Sequence, residues 1–171
     1  MHDDGHFDES VARSYDENAA AMFEPAAIEP AVELIAGLAG QGRALELGIG
    51  TGRLALPLAS RGVAVHGIDV SRAMLARLRQ KPGGDSIGVT VGDFATTQVE
   101  GPFTVAFVAF NTFMNLTTQA AQVACFRNVA RHLAPGGSFL IECMLPDLRR
   151  LPPGQGAVPF HVSPTRWSFD V

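Results

Sequence analysis

Apolar positions recur along this chain with two periods, one helical and one of strands, and the two take turns. A helical period covers residues 10–23, with Ser10 as the expected N-cap. Pro25 and Pro30 then punctuate the chain. Pro30 suits the first turn of a helix that carries Ala31, Leu34, Ile35 and Leu38 on one face. Residues 43–60 read as strand, turn and helix, with Pro57 near the first turn, where a missing N–H costs little. Residues 63–68 alternate into a second strand. Ser71 is the expected N-cap of a helix with Met74, Leu75 and Leu78 facing in and Arg72, Arg77 and Arg79 facing out. Residues 81–85 form a turn, and 87–91 a third strand ending at Gly92-Asp93-Phe94. Residues 103–110 are almost wholly apolar, as in a strand buried on both faces. Residues 120–133 suit an amphipathic helix with Val123, Phe126, Ala130 and Leu133 on its inner face, ended by Pro135-Gly136-Gly137. Residues 138–142 form a fifth strand. Strand alternating with helix gives an α/β fold: a doubly wound, mostly parallel sheet with helices on both faces. Beyond it the prolines at 146, 152, 153, 159 and 164 interrupt regular structure, and only 167–171 reads as a strand.

Composition narrows the function. The chain has 171 residues, enough for one core, with 47% apolar and 18% charged residues. The net charge of −4 gives no electrostatic drive toward a phosphate backbone, so nucleic acid is not an expected partner. No apolar run reaches the roughly 18 residues that span a bilayer, so no membrane is expected either. The acidic start MHDDGHFDES is unlike a signal peptide. Cys125 and Cys143 stand in no metal or redox spacing, so reduced thiols in a cytoplasmic protein are expected. His2 and His6 with Asp3, Asp4 and Asp8 could hold a metal in principle, but a mobile acidic tail over residues 1–9 is expected, and no metal site.

The chemistry concentrates in RALELGIGTG, residues 43–52. Glycines allow positive φ and close approach of the backbone to a ligand. At the end of a parallel strand such a turn cradles a nucleotide. Asp69, at the end of the second strand, can accept hydrogen bonds from a ribose diol or cap the helix at Ser71. Gly48, Gly50 and Gly52 are spaced G-x-G-x-G, and Arg53 takes the place of the third glycine of a dinucleotide fingerprint.

The pattern E-L-G-x-G-T-G, from Glu46, resembles motif I of the Rossmann-like (class I) S-adenosylmethionine-dependent methyltransferases. Asp69 matches the family's acidic residue after strand 2. Gly92-Asp93-Phe94 matches its acidic turn after strand 3, and Leu133-Ala134-Pro135-Gly136-Gly137 its LxPGG turn before strand 5. The four elements stand in order over residues 43–143. The resemblance implies a cofactor, S-adenosylmethionine, leaving as S-adenosylhomocysteine. It also implies in-line methyl transfer, here to a small-molecule acceptor, because the N-P-P-[YF] signature of nucleic-acid methylases is replaced by Phe110-Asn111-Thr112-Phe113. The cofactor-binding residues it implies are Tyr15, Glu46, Gly48, Ile49, Gly50, Gly52, Arg53, Asp69, Val70, Met74, Gly92, Asp93, Phe94, Phe110 and Asn111. Several carry a plainer alternative. Glu46 faces the methionine end of the cofactor or is a satisfied strand-end carboxylate. Asp93 meets the adenine amino group or is a turn aspartate. Met74 touches adenine or is core, and Tyr15 closes over the site or packs the first helix. Arg53 reaches the cofactor carboxylate or lies on the surface. Asn111 holds the cofactor, positions the acceptor or is structural. His161 could face an acceptor. No catalytic residue stands out.

Three parts are expected: a tail and cofactor-covering helix over 1–24, the cofactor-binding Rossmann-like domain over 25–145, and the start of a lid or substrate region over 146–171. The sheet is expected to be truncated at its C-terminal strands. Its strand 5 edge would then be covered by residues 157–171 or by a second subunit. Two other readings stay open: a cofactor-binding but catalytically idle module, and an NAD-type oxidoreductase.

Overall fold

A computed structural model describes residues 7–144, 158–162 and 167–170. Five strands, β1 (Arg43–Leu47), β2 (Ala64–Asp69), β3 (Gly88–Val91), β4 (Phe103–Val108) and β5 (Leu133–Ile141), form one parallel sheet in the order β3-β2-β1-β4-β5. Five helices connect and cover them: α1 (Glu9–Asn18), α2 (Pro25–Ala39), α3 (Ala55–Ser60), α4 (Arg72–Arg79) and α5 (Gln119–His132). The chain winds outward from β1 to β3, then crosses back to β4. The carboxyl ends of β1 and β4 are therefore a topological switch point, where such sheets open a ligand crevice.

The pleat sends alternate side chains to two apolar layers. Ala44, Val65, Val105 and Phe107 join residues of α2, α3 and α4 on one face. Leu45, Leu47, Ile68, Ala106 and Val108 join Phe94, Cys125 and Val129 on the other, with Phe103 added where the β4–β5 register shifts. Side chains as fully buried as Phe103, Phe107, Leu45 and Ile68 contribute about 1.5–3 kcal/mol each.

Several helix expectations change. Asp8, not Ser10, caps α1, accepting the N–H groups of Ser10 and Val11. Phe7 and Asp8 are thus built into the fold; the rest of the expected tail lies outside the described residues, except Glu9, the first residue of α1. Pro25 opens α2 and Pro30 sits inside it; Val32, Ile35 and Ala39 face the core while Leu34 and Leu38 are exposed. In α5 the inner face is Cys125, Asn128, Val129 and His132, and Val123 and Phe126 are exposed. Phe126 instead meets the rings of Phe113 and Phe139 edge-on. Ser71 caps α4 as expected, accepting Met74 N–H. Pro135-Gly136-Gly137 does not precede β5 but bulges within it, since Leu133 pairs with Phe103 and Ser138 with Val105.

A further strand, β6 (Val158–Val162), pairs antiparallel with β7 (Trp167–Asp170) in a two-stranded sheet of its own. The sequence reading had only the second of these. Among the described residues β5 has β4 as its one ladder partner. No helix there is long and apolar enough to cross a membrane.

Candidate active site

The turn after β1 needs its glycines. Gly48, Gly50 and Gly52 all have positive φ, between +54° and +85°. A Cβ on Gly48 would stand 2.4 Å from Thr112 Cγ2. The N–H groups of Gly48 and Ile49 donate to Ile68 O at 2.8 and 3.2 Å, tying the turn to the end of β2. Gly50 N–H donates to Asp69 Oδ2 at 2.7 Å, and Ser71 N–H to Asp69 Oδ1 at 2.9 Å. Asp69 therefore braces the glycine turn and the start of α4 at once. It also lines the open space beside the turn.

That space is a cavity of about 530 Å³ at the carboxyl edge of the sheet. Eight of the sequence-predicted residues line it: Tyr15, Gly48, Gly50, Asp69, Val70, Met74, Asp93 and Phe94. The other seven stand elsewhere. The Ile49 side chain packs over Gly67, and a Cβ on Gly52 would meet Leu78 Cδ1 at 2.4 Å, so both serve packing beside the turn. Gly92 lets the chain fold back, since a Cβ there would meet Thr97 Oγ1 at 2.1 Å. Arg53 lies over the Phe110 ring, 4.8 Å from its centroid, within 3.8 Å of Glu142 and hydrogen-bonded to Met22 O. Its guanidinium is tucked in rather than on the surface. Phe110 and Asn111 have φ of +58° and +62°, a left-handed pair that non-glycine residues rarely adopt. Glu142 accepts the N–H of Phe110 on its side chain and that of Asn111 on its backbone, and Asn111 Oδ1 accepts Met144 N–H. Both residues shape the exit from β4.

That exit delivers a segment whose start, Phe110-Asn111-Thr112-Phe113, the sequence reading marks and whose continuation it does not. Thr112, Met114, Asn115, Leu116 and Thr117 line the cavity, as does Phe7 from the N-terminal side. Their position after a strand at a switch point was the available signal; no motif marks them. Phe7 meets Tyr15 edge-on at 6.2 Å, and the two rings form the cavity's α1 side. His2, His6, Asp3 and Asp4 lie outside the described residues.

Burial displaces several titratable groups, two of them beside the glycine turn and α1. Burial pushes Glu46 up to about 8; Arg53 pulls the other way, Asp69 adds to the rise, and a hydrogen bond from Ala55 N–H lowers it. Glu46 Oε2 is buried and has no partner among the described residues. Burial likewise raises Tyr15, against the opposing charge of Arg53, so its phenol is protonated at neutral pH. Cys125 is held as an unreactive thiol, pushed up to about 11 by burial.

Known proteins match this arrangement. A family model described as a methyltransferase domain matches residues 44–137, more than half of the chain. A cypemycin N-terminal methyltransferase from a Streptomyces species is 32% identical over 146 residues, covering 85% of this chain and 59% of its own length. The structure of the CcbJ methyltransferase from Streptomyces caelestis superimposes with a TM-score of 0.70 at 38% identity, over 81% of this chain and 57% of that one. CalS10, an amino pentose methyltransferase from Micromonospora echinaspora with S-adenosylmethionine bound, gives 0.63 at 27% identity, over 79% and 57%. The chain thus spans less than two thirds of the length of these relatives. With its ordered motifs, switch-point cavity and parallel sheet, the chain belongs to the methyltransferase domain family, in its Rossmann-like, S-adenosylmethionine-dependent class.

Proposed function

We propose that the cavity binds S-adenosylmethionine and that the protein directs its methyl group to an amine nitrogen of a small molecule or short peptide. One observation carries this reading: a single cavity joins the positive-φ glycine turn, Asp69 and Asp93 at the switch point. Its volume falls within the range of about 300–1,000 Å³ usual for ligand sites. The residues present fit the cofactor. Gly50 offers bare backbone to the cavity, Asp69 suits a ribose diol, and Asp93 suits an exocyclic amine. Glu46, outside the cavity wall, supplies a buried carboxyl oxygen that lacks a donor and would suit the ammonium at the methionine end. The amine preference draws on the two relatives named for an N-terminal amine and an amino sugar.

The bound cofactor supplies an activated methyl on a sulfonium with a neutral leaving group. What remains for this chain is alignment, which can contribute about 7–11 kcal/mol. Phe7, Tyr15 and Met74 would exclude water from the reacting end, and the segment from Thr112 to Thr117 would orient the acceptor with its hydroxyl and amide groups. A cytoplasmic location belongs to the same reading, supported by the free, exposed Cys143. Release of S-adenosylhomocysteine across a panel of amines, phenols and carboxylic acids tests it. Turnover with amines is expected. Turnover confined to phenols or acids would contradict the amine assignment, and cofactor binding without any turnover would favour an idle module.

A further inference from the structure

The inner face of α5 carries two polar residues where an apolar pattern would place none. Asn128 and His132 stand one turn apart and are almost fully buried, at 1% and 4% exposure. Neither lines the cavity. Asn128 Nδ2 donates to Phe94 O at 3.1 Å and to Thr97 O at 2.8 Å. His132 Nδ1 is 2.8 Å from Asn128 O, and its Nε2 is 3.0 Å from Val99 N. A carbonyl can only accept and an amide N–H can only donate. Nδ1 therefore donates to Asn128 O, and Nε2 accepts Val99 N–H.

These bonds converge on the loop after β3. That loop makes a single turn: Thr96 N–H and Thr97 N–H return to Asp93 O, and Ala95 N–H to Asp93 Oδ1. One turn of helix without a continuation leaves its carbonyls unpaired. Asn128 takes two of them, and His132 takes the N–H where the loop leaves. The same loop presents Asp93 and Phe94 to the cavity.

We propose that Asn128 and His132 are positioning residues for the base end of the cofactor site, fixing Asp93 and Phe94 from behind so that Asp93 selects adenine. This rests on the reading that the cavity takes S-adenosylmethionine. Leucine would fill the volume of either side chain but offers no hydrogen bond. Glutamine at 132 restores an acceptor for Val99 N–H.

The test compares wild type with Asn128→Leu, His132→Leu and His132→Gln by two measurements. The first is amide hydrogen exchange, which needs no ligand. The second is the ratio of affinities for S-adenosylhomocysteine and its inosine analogue, in which the adenine amino group is replaced. In both leucine variants, exchange over 93–99 is expected to rise about tenfold while β1 and β4 stay protected, matching the loss of one or two hydrogen bonds. The preference for adenine is expected to fall about tenfold as well, and His132→Gln to recover part of both. Wild-type exchange over 93–99 in the leucine variants would overturn the inference. So would a uniform rise across the sheet with the adenine preference unchanged. Wild-type protein that binds neither ligand would contradict the cofactor reading instead, and the localised exchange then decides whether the brace exists.

Discussion

Asp69 is one side chain that braces two elements and also lines the cavity. Two alternatives, ribose binding and helix capping, stand apart in the sequence; in the structure Gly50 N–H and Ser71 N–H share the carboxylate. Asp69→Ala removes the acceptor for both and the charge offered to the cavity. Affinity for S-adenosylhomocysteine is expected to fall about 10- to 100-fold, as for loss of a hydrogen bond to a charged group. The melting temperature of the ligand-free variant is expected to drop too, and an unchanged value would show that the brace contributes nothing. Glu46 makes a different case. Its carboxyl is raised to about 8 when folded, chiefly by burial, whereas the unfolded chain ionises it near the ordinary glutamate value of about 4.3. Between those limits the folded state holds the extra proton, so stability falls as pH rises from about 4.5 to about 8. Denaturant titrations across that window should show the decline in wild type and a flatter profile in Glu46→Gln. Equal slopes in the two proteins would remove Glu46 as its source.

At the scale of elements, α1 stands out for how little apolar surface holds it. Ala12 is its one buried residue, packed with Phe7 and Tyr15 against Ala73 and Met74. Polar contacts supply the rest. Thr51 Oγ1 donates to Asp16 at 2.6 Å, Lys81 bridges Asp16 and Thr51 O, Arg77 pairs with Glu9 at 3.4 Å, and Ser71 Oγ donates to Phe7 O at 2.5 Å. Partly exposed pairs contribute roughly 0.2–1 kcal/mol each and are screened by salt. Lys81→Met is therefore expected to speed S-adenosylhomocysteine release by a few-fold, and high salt to speed it in wild type but much less in the variant. Equal salt sensitivity in the two proteins would show that Lys81 is not the clasp. The clasp was not legible in the sequence, because it joins residues far apart in the chain. Strands β1, β2 and β3 were legible, since their apolar runs are short and end at glycine or aspartate, whereas β6 was hidden by its proline and histidine. The inner faces of α2 and α5 were not legible. Leu34, Leu38, Val123 and Phe126 fit an apolar period yet face outward, while the polar Asn128 and His132 face in.

At the scale of the molecule, the ordered motifs converge because the winding brings the ends of β1, β2 and β3 and the segment after β4 to one edge. The cradle was readable because glycines at positive φ have few substitutes. The segment after β4 was not, because Thr112, Met114, Asn115 and Thr117 owe their place to the left-handed turn at Phe110 and Asn111, and a phenylalanine does not announce positive φ. The central claim for the molecule is that the switch-point cavity takes S-adenosylmethionine. Titration calorimetry of the wild-type chain with S-adenosylhomocysteine, and in parallel with NAD, addresses it directly. The account expects saturable one-to-one binding of S-adenosylhomocysteine, weakened in Asp69→Ala, and no heat from NAD. Binding of NAD without binding of S-adenosylhomocysteine would contradict it.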